Sequence, residues 1–196
     1  MTVEETLAVI SDTELYRVRR EDGTTAVVKL ARTEDRQIRY LLKREAAILR
    51  KAAASEVSPG WIGQGELEGK IFLKMEYVAG RDLMTAAADA RNEGPEAVLG
   101  LCLKTIRSYA RLHEAGIVHG DVHPGNAKVD ERGVRLLDFG VAVAEGAKDE
   151  TGAAPRAGIG FFFEPEYAAA VLAGSTPPRV SQAGEQYAVA ALCYLL

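Results

Sequence analysis

The chain has 196 residues, of which 47% are hydrophobic and 27% are charged, a composition typical of a globular protein. The formal net charge of -4 gives no electrostatic reason to expect nucleic acid or an anionic membrane as a partner. No apolar run reaches the roughly 18 residues that a bilayer span needs, and residues 1–5 lack the features of a signal peptide. The two cysteines have no metal-type spacing and indicate free thiols in a reducing compartment, so we expect a cytoplasmic protein.

The first third of the sequence predicts a small antiparallel sheet with one helix. Extended segments at 14–20 and 25–30 flank Glu21-Asp22-Gly23, which favours a hairpin turn. A helix is predicted from Thr33 to about Ala54. A second hairpin is predicted from segments 61–66 and 70–77. The expected order is therefore two strands, a helix and two more strands.

The rest of the chain predicts mainly helices. The pattern indicates helices at 82–91, 95–114, 164–173 and 181–196, with a short hairpin at 127–129 and 134–137. Residues 144–157 are rich in Gly, Ala and charged residues and are predicted to form a mobile loop.

The last predicted helix is apolar nearly all round, from Ala188 to Leu196. A helix without a polar face is expected inside a protein, and little sequence remains here to cover it. Either the chain is a fragment, which we favour, or a further domain or chain completes the fold.

Lys29 and Glu45 are the first candidate site residues. Lys29 lies on an apolar predicted strand, and Glu45 lies on the apolar stripe of the helix that follows. A carboxylate on a buried face needs a cation, because desolvating it alone costs several kcal/mol, and Lys29 is the natural partner. Alternatively, Glu45 sits at the edge of the stripe and reaches water.

Three further candidates flank the short hairpin. Asp121 and Asn126 belong to a tight Gly- and Pro-containing loop, and Asp138 directly follows the second strand of the hairpin. Because Asn126 and Asp138 bracket one hairpin, their oxygens can converge on a hard cation such as Mg²⁺. Asp121 can orient an acceptor hydroxyl or receive its proton. His119 is expected to make a structural hydrogen bond within the loop.

These residues resemble the protein kinase superfamily in identity, order and spacing. The segment Ala26-Val27-Val28-Lys29 is similar to the lysine strand of that family, and Met75-Glu76-Tyr77-Val78 to its gatekeeper and hinge. Glu164-Pro165-Glu166 resembles the motif that closes the activation segment. The resemblance implies an α+β, bilobal fold, with an N-lobe at residues 1–78 and an incomplete, mainly helical C-lobe at 79–196.

The resemblance also implies an ATP- and Mg²⁺-dependent transfer of phosphate to Ser or Thr of a protein or peptide. Lys29, braced by Glu45, would hold the α- and β-phosphates, and Asp121 would act on the acceptor hydroxyl. Asn126 and Asp138 would bind Mg²⁺. The nucleotide would further contact the residues of the covering loop and the hinge, namely Ser11, Asp12, Thr13, Met75, Glu76 and Val78.

Some positions depart from the family pattern. The loop that covers the nucleotide contains no Gly, and Asp12 and Glu14 are expected to repel phosphates. Gly120 replaces the usual Arg, so switching by activation-loop phosphorylation is not expected. His123 stands where Ser/Thr kinases carry Lys, in the style of small-molecule kinases that resemble aminoglycoside phosphotransferases.

A finer resemblance concerns residues 161–168 and 184–188, which are similar to the kinase domains of class III and IV lanthionine synthetases. These enzymes phosphorylate Ser and Thr of a precursor peptide. Two alternatives to a protein or peptide kinase remain open, a small-molecule kinase and a non-catalytic binding module of the same shape.

Overall fold

The computed structural model describes residues 1–10, 12–144 and 158–196. A five-stranded antiparallel sheet forms the N-terminal part, in the spatial order β1-β2-β3-β5-β4. Its strands are β1 (Thr2–Ile10), β2 (Thr13–Arg19), β3 (Thr25–Ala31), β4 (Trp61–Leu67) and β5 (Lys70–Glu76). The sheet and the helices described below confirm the α+β class that the sequence predicts.

The strand β1 corrects the predicted order, because three strands rather than two precede the first helix. Its pairing with β2 contains two register shifts, between Val3 and Glu5 and between Thr6 and Ala8. Such bulges interrupt the two-residue alternation of side chains, and nearly all residues of β1 are exposed. The strand therefore lacks the sequence pattern that a half-buried strand shows.

The helix α1 (Arg36–Ala52) packs against β4 and β5. It begins three residues later than predicted, because the Asp35 side chain accepts hydrogen bonds from the backbone N–H groups of Gln37 and Ile38 and caps the helix. Its buried face carries Leu42, Glu45, Ala46, Ile48, Leu49 and Ala52. The apolar stripe thus faces the core, and Glu45 lies within it.

The described residues of the C-terminal part contain four further helices, α2 (Leu83–Glu93), α3 (Pro95–Glu114), α4 (Pro165–Leu172) and α5 (Gln182–Leu195). Five short strands accompany them: β6 (Arg81–Asp82), β7 (Ile117–Val118), β8 (Ala127–Asp130), β9 (Gly133–Leu136) and β10 (Val143–Ala144). The pair β8–β9 is the predicted hairpin. Of the predicted mobile loop, residues 145–157 lie outside the described part of the chain.

The helix α5 is buried on one face only, so the described residues leave part of its apolar surface uncovered. Leu192 is fully buried against the core, whereas Tyr194 is 88% exposed and Tyr187 is 45% exposed. None of the helices in the described ranges is long and apolar enough to cross a membrane.

Candidate active site

The centre of the site is Lys29, which extends from β3 and joins two acids that are distant in sequence. Its Nζ lies 2.9 Å from Oε2 of Glu45 on α1 and 3.1 Å from Oδ1 of Asp138, 109 residues further along the chain. Lys29 is 9% exposed and Glu45 only 2%. The structure thus places Glu45 against a cation rather than at a solvated edge of the helix.

Burial and charge set the protonation of this group. Burial lowers the pKa of Lys29, but the carboxylates of Glu45 and Asp138 outweigh it and raise that pKa above its ordinary value. Burial raises the pKa of Asp138, but Lys29 and the Gly140 N–H outweigh it and leave that pKa below the ordinary value. For Glu45, burial dominates and raises the pKa. Lys29 is therefore a fixed cation between Glu45 and Asp138.

Asp138 follows β9 in a backbone conformation that few residues adopt. Its φ is +56°, in the left-handed region that Asp tolerates better than most side chains. The Gly140 N–H donates to its Oδ1 at 3.2 Å. The turn directs the carboxylate toward Lys29 and leaves 40% of the side chain exposed.

Asp121 and Asn126 are held together within one loop. Nδ2 of Asn126 donates to Oδ2 of Asp121 at 2.9 Å and to the backbone carbonyl of Asp121 at 3.1 Å. The other carboxylate oxygen of Asp121, Oδ1, is buried and has no hydrogen-bond partner among the described residues. An acceptor-ready oxygen is therefore fixed in place at this loop.

His123 faces the same carboxylate. The backbone N–H of Gly125 donates to Nδ1 of His123 at 3.1 Å, so Nδ1 accepts and a neutral ring carries its proton on Nε2. Nε2 lies 3.6 Å from Oδ2 of Asp121. The ring thus directs an N–H donor toward Asp121 from the position where Ser/Thr kinases carry Lys.

The sequence predicts a hydrogen bond between His119 and its own loop, and this predicted partner was wrong. Its Nε2 donates to the backbone carbonyl of Leu137 at 2.9 Å, outside the loop, at the end of the neighbouring hairpin. The ring is fully buried and packs 5.0 Å from the ring of Phe139. His119 therefore fastens the loop of Asp121 to the segment that carries Asp138.

Two residues that the sequence interpretation did not assign to the site also fix it. Nη2 of Arg44, on α1, donates to the backbone carbonyl of Ala142 at 2.6 Å and so ties the helix of Glu45 to the segment after Asp138. Gly158 lies against Asp121, since a Cβ there would be 3.3 Å from Oδ1. No spacing rule in the sequence points to either contact.

The negative charge of Glu14, in the predicted nucleotide-covering loop, is expected from the sequence to repel phosphates. The structure places the Glu14 side chain away from Lys29, so this expectation is wrong. Along β2, Glu14 shares a face with Tyr16 and Val18, and this face packs on the side of the sheet opposite Lys29. The Tyr16 hydroxyl donates to the Glu14 carboxylate, and Arg32 lies 3.6 Å from it.

The other residues of this loop are placed as follows. Asp12 is exposed, and its backbone carbonyl accepts from the N–H of Arg32 at 2.9 Å. The Thr13 hydroxyl donates to the carbonyl of Ile10. Ser11 lies outside the described residues.

The predicted hinge follows the end of β5. Met75 and Val78 are buried, at 8% and 5% exposure. The side chain of Glu76 is directed toward β9, where its Oε2 accepts from Arg135 at 2.8 Å and from the backbone N–H of Gly60 at 2.9 Å. The Glu76 side chain is therefore committed to these partners, and the backbone N–H of Glu76 donates to the Gly60 carbonyl at 2.8 Å.

The candidate metal ligands suit a hard cation. Asn126 uses its amide N–H for Asp121, which leaves its carbonyl oxygen as a donor, and Asp138 adds a carboxylate with a depressed pKa. Oxygen ligands of this kind, few in number and completed by phosphate and water, are those that Mg²⁺ prefers. Within 1–10, 12–144 and 158–196, no group of three or more His, Cys, Asp and Glu side chains is placed to hold a metal.

A five-stranded sheet packed on helices, with a buried Lys–Glu pair and two acidic loops that are hydrogen-bonded to each other, defines the protein kinase class of fold. A family model described as the protein kinase domain matches residues 12–192, and the chain belongs to this family.

Curated relatives agree with this assignment. The chain is 29% identical to the serine/threonine-protein kinase pkn3 of Myxococcus xanthus over 84% of its length and 30% of that protein. It is 32% identical to the probable serine/threonine-protein kinase pknA2 of Bifidobacterium longum over 62% of its length and 17% of that protein. It is 35% identical to the KEOPS complex subunit Bud32 of Pyrococcus abyssi over 50% of its length. The matches span less than half of these relatives, including 43% of Bud32.

Proposed function

We propose that this chain transfers the γ-phosphoryl group of ATP, with Mg²⁺, to a Ser or Thr hydroxyl of a protein or peptide. The observation that carries the proposal is the position of Lys29 Nζ, which contacts Glu45 at 2.9 Å and Asp138 at 3.1 Å. Lys29 is a permanent cation, and it lies beside the Asp138 carboxylate, whose pKa is lowered. A positive charge next to an ionised carboxylate suits the binding of a metal-bound polyphosphate. The family membership of the chain supports the same class of reaction.

In this proposal the nucleotide lies between the sheet and the helices, with the lobe boundary after residue 78. Lys29 binds the α- and β-phosphates, and Glu45 keeps its ammonium group in position. The backbone of Glu76 and Val78, with Met75 beside them, contacts the base, while Ser11, Asp12 and Thr13 cover the phosphates. Asn126 and Asp138 would hold Mg²⁺, which supplies charge neutralisation when bound.

Asp121 acts on the acceptor hydroxyl. Its Oδ2 is held by Asn126, so the carboxylate has one orientation, and its Oδ1 is buried without a partner among the described residues. A hydroxyl that enters beside Gly158 can donate to Oδ1. This hydrogen bond orients the hydroxyl oxygen for attack, and Oδ1 receives the proton as the new bond to phosphorus forms. Positioning and charge neutralisation, rather than covalent catalysis, contribute most to such a transfer.

His123 favours a second candidate, a small-molecule kinase. An imidazole N–H near Asp121 replaces the flexible ammonium of the Ser/Thr kinases, and such a donor suits a compact acceptor as well as a peptide. Peptide acceptors, among them Ser/Thr-rich precursor peptides of the lanthionine type, therefore need to be compared with sugars and aminoglycosides.

The test is transfer of label from γ-labelled ATP, in a buffer containing Mg²⁺, to a panel of these acceptors. Asp121→Ala is expected to lower the rate at least about 100-fold, and Asp138→Ala likewise. Asp89→Ala is the matched control, because Asp89 is half-exposed on α2 and pairs with the exposed Arg81. Transfer that survives both site substitutions would overturn the assigned roles, and transfer to small molecules alone would select the second candidate.

A thermal shift experiment separates catalysis from binding. ATP and Mg²⁺ at 100 times the Kd are expected to stabilise the chain by ~2.7 kcal/mol. Lys29→Met is expected to abolish the shift, whereas Asp121→Ala is expected to keep it. A wild-type chain without any shift at millimolar ATP would favour a non-catalytic module.

A further inference from the structure

Two thiols that the site does not use meet between α3 and α5. Cys102 and Cys193 are 91 residues apart in sequence, and both are free and half-buried. The Cys102 thiol donates to the backbone carbonyl of Cys193 at 3.6 Å, and the Cys193 thiol donates to the carbonyl of Cys102 at 3.9 Å. Each sulfur thus lies against the backbone of the other residue.

This reciprocal arrangement brings the two helix backbones close and places both sulfurs in one gap. A disulfide needs a Cα–Cα separation of about 4.4–6.8 Å, and contacts of each sulfur with the backbone carbonyl of the other residue hold the two residues close enough to approach it. The two thiols also interact electrostatically. The pKa of Cys193 is raised to about 12, mainly by burial and to a smaller extent by the proximity of Cys102.

We propose that Cys102 and Cys193 form a reversible disulfide when the protein meets a thiol oxidant such as hydrogen peroxide, linking α3 to α5. Phosphoryl transfer does not need this bond, and the inference stands independently of the proposed function. Helix α5 also carries Glu185, whose Oε1 accepts from the backbone N–H of Gly120 at 2.7 Å. The bond would therefore fix the helix on which the loop of Asp121 is anchored.

The chemistry balances with peroxide as the oxidant. In the proposed sequence Cys193 reacts second, and the first nucleophile is Cys102. Its sulfur loses its proton and attacks one peroxide oxygen, the O–O bond breaks, and the leaving hydroxide takes that proton, so that a sulfenic acid and one water are formed. The Cys193 sulfur then attacks the sulfenic sulfur, and the expelled hydroxide takes the Cys193 proton as a second water. The two thiols lose two electrons, which reduce one peroxide.

The test uses the reduced full chain at low concentration, treated with stoichiometric hydrogen peroxide or diamide. Alkylation and intact mass are expected to show that both thiols disappear together in a monomer that is lighter by two hydrogens, and that dithiothreitol restores them. The Tm of the oxidised chain is expected to rise by about 5–15 °C, because the bond closes a long loop in the unfolded state.

Three controls make the result specific. Cys102→Ser and Cys193→Ser each leave one thiol that cannot form the intramolecular bond. In the double variant Cys193→Ser with Ala190→Cys, the second thiol moves to an exposed position of α5 and is not expected to pair with Cys102. In denaturant, oxidation of the wild type is expected to slow at least about tenfold, because the effective concentration of the two thiols falls.

Retention of both thiols in the folded wild type would overturn the proposal. Oxidation that stops at a sulfenic or sulfinic acid, or that yields only disulfide-linked dimers at low concentration, would overturn it as well. Equal pairing rates for Cys193 and for a thiol at position 190 would also contradict the proposed geometry.

Discussion

Glu185 accepts a hydrogen bond from the backbone N–H of Gly120 at 2.7 Å, across 65 residues of sequence. Its second carboxylate oxygen pairs with Nε2 of His113 at 2.6 Å, and only 1% of the residue is exposed. One buried carboxylate on α5 thus joins the end of α3 to the residue before Asp121. Gly120 itself has a φ of +78°, a conformation that favours glycine.

We expect Glu185→Ala to destabilise the fold and to reduce phosphoryl transfer. The substitution leaves the Gly120 N–H and His113 without their buried acceptor, at a cost of about 2–4 kcal/mol in the free energy of unfolding. Denaturant unfolding measures the loss, with Glu93→Ala on the exposed end of α2 as the control. An unchanged free energy of unfolding would show that the contact does not anchor the loop.

Lys29→Met is expected to destabilise the chain by about 3–5 kcal/mol near neutral pH, because Glu45 is left as an uncompensated buried charge. Burial then holds the pKa of Glu45 above its unfolded value of about 4.5. The folded variant binds a proton that the unfolded chain has lost, so its stability decreases as pH rises from about 4.5 through the folded pKa.

The double variant Lys29→Met with Glu45→Gln tests this cause. It is expected to recover much of the lost stability and to have a flatter pH profile, because no buried charge remains. Denaturant unfolding at several pH values gives both quantities. Equal losses in the single and double variants would contradict coupling between Lys29 and Glu45.

Glu76 makes the stability depend on pH in acid. Burial raises its pKa, but Arg135, the Gly60 N–H and Arg132 outweigh this and lower it to about 2. A depressed folded pKa contributes stability above the unfolded value of 4.5, and this stability is lost as pH falls from about 4.5 to about 2. Glu76→Gln is therefore expected to be less stable at pH 7, with a difference from wild type that shrinks toward pH 2.

Thermal unfolding of both proteins between pH 2 and pH 7 measures this difference. Glu93→Gln, an exposed carboxylate outside the pairing network, is the control. A difference that stays constant over this pH range would show that the ionised Glu76 carboxylate contributes no stability.

Gly158→Ala is expected to lower the turnover of phosphoryl transfer while nucleotide binding stays the same. The added methyl would lie 3.3 Å from Oδ1 of Asp121 and 3.3 Å from the ring of Phe163, at a φ of +134°. It therefore crowds the oxygen that faces the acceptor. Steady-state kinetics and an ATP thermal shift separate the two effects, and an unchanged kcat would remove Gly158 from the acceptor site.

The spacing of apolar residues in the sequence was sufficient to predict the helices and strands that bury one face. The stripe of α1 placed Glu45 inside, and the apolar strand β3 placed Lys29 on a packed face, so their pairing could be predicted from spacing. The strand β1 could not, because it is exposed and its bulges break the alternation. The pairing of Arg135 with Glu76 was missed as well, although a charged residue within a buried strand is a signal of such a partner.

By itself, the sequence determined the resemblance to the protein kinase family and the order of the candidate site residues, and local spacing and turn chemistry indicated which of these side chains share a loop or a face. Only the tertiary structure decided which distant groups meet: Lys29 with Asp138, Glu185 with Gly120, and Cys102 with Cys193. These contacts join segments 65 to 109 residues apart. Their geometry depends on how the sheet and the helices pack, and no local pattern records that packing.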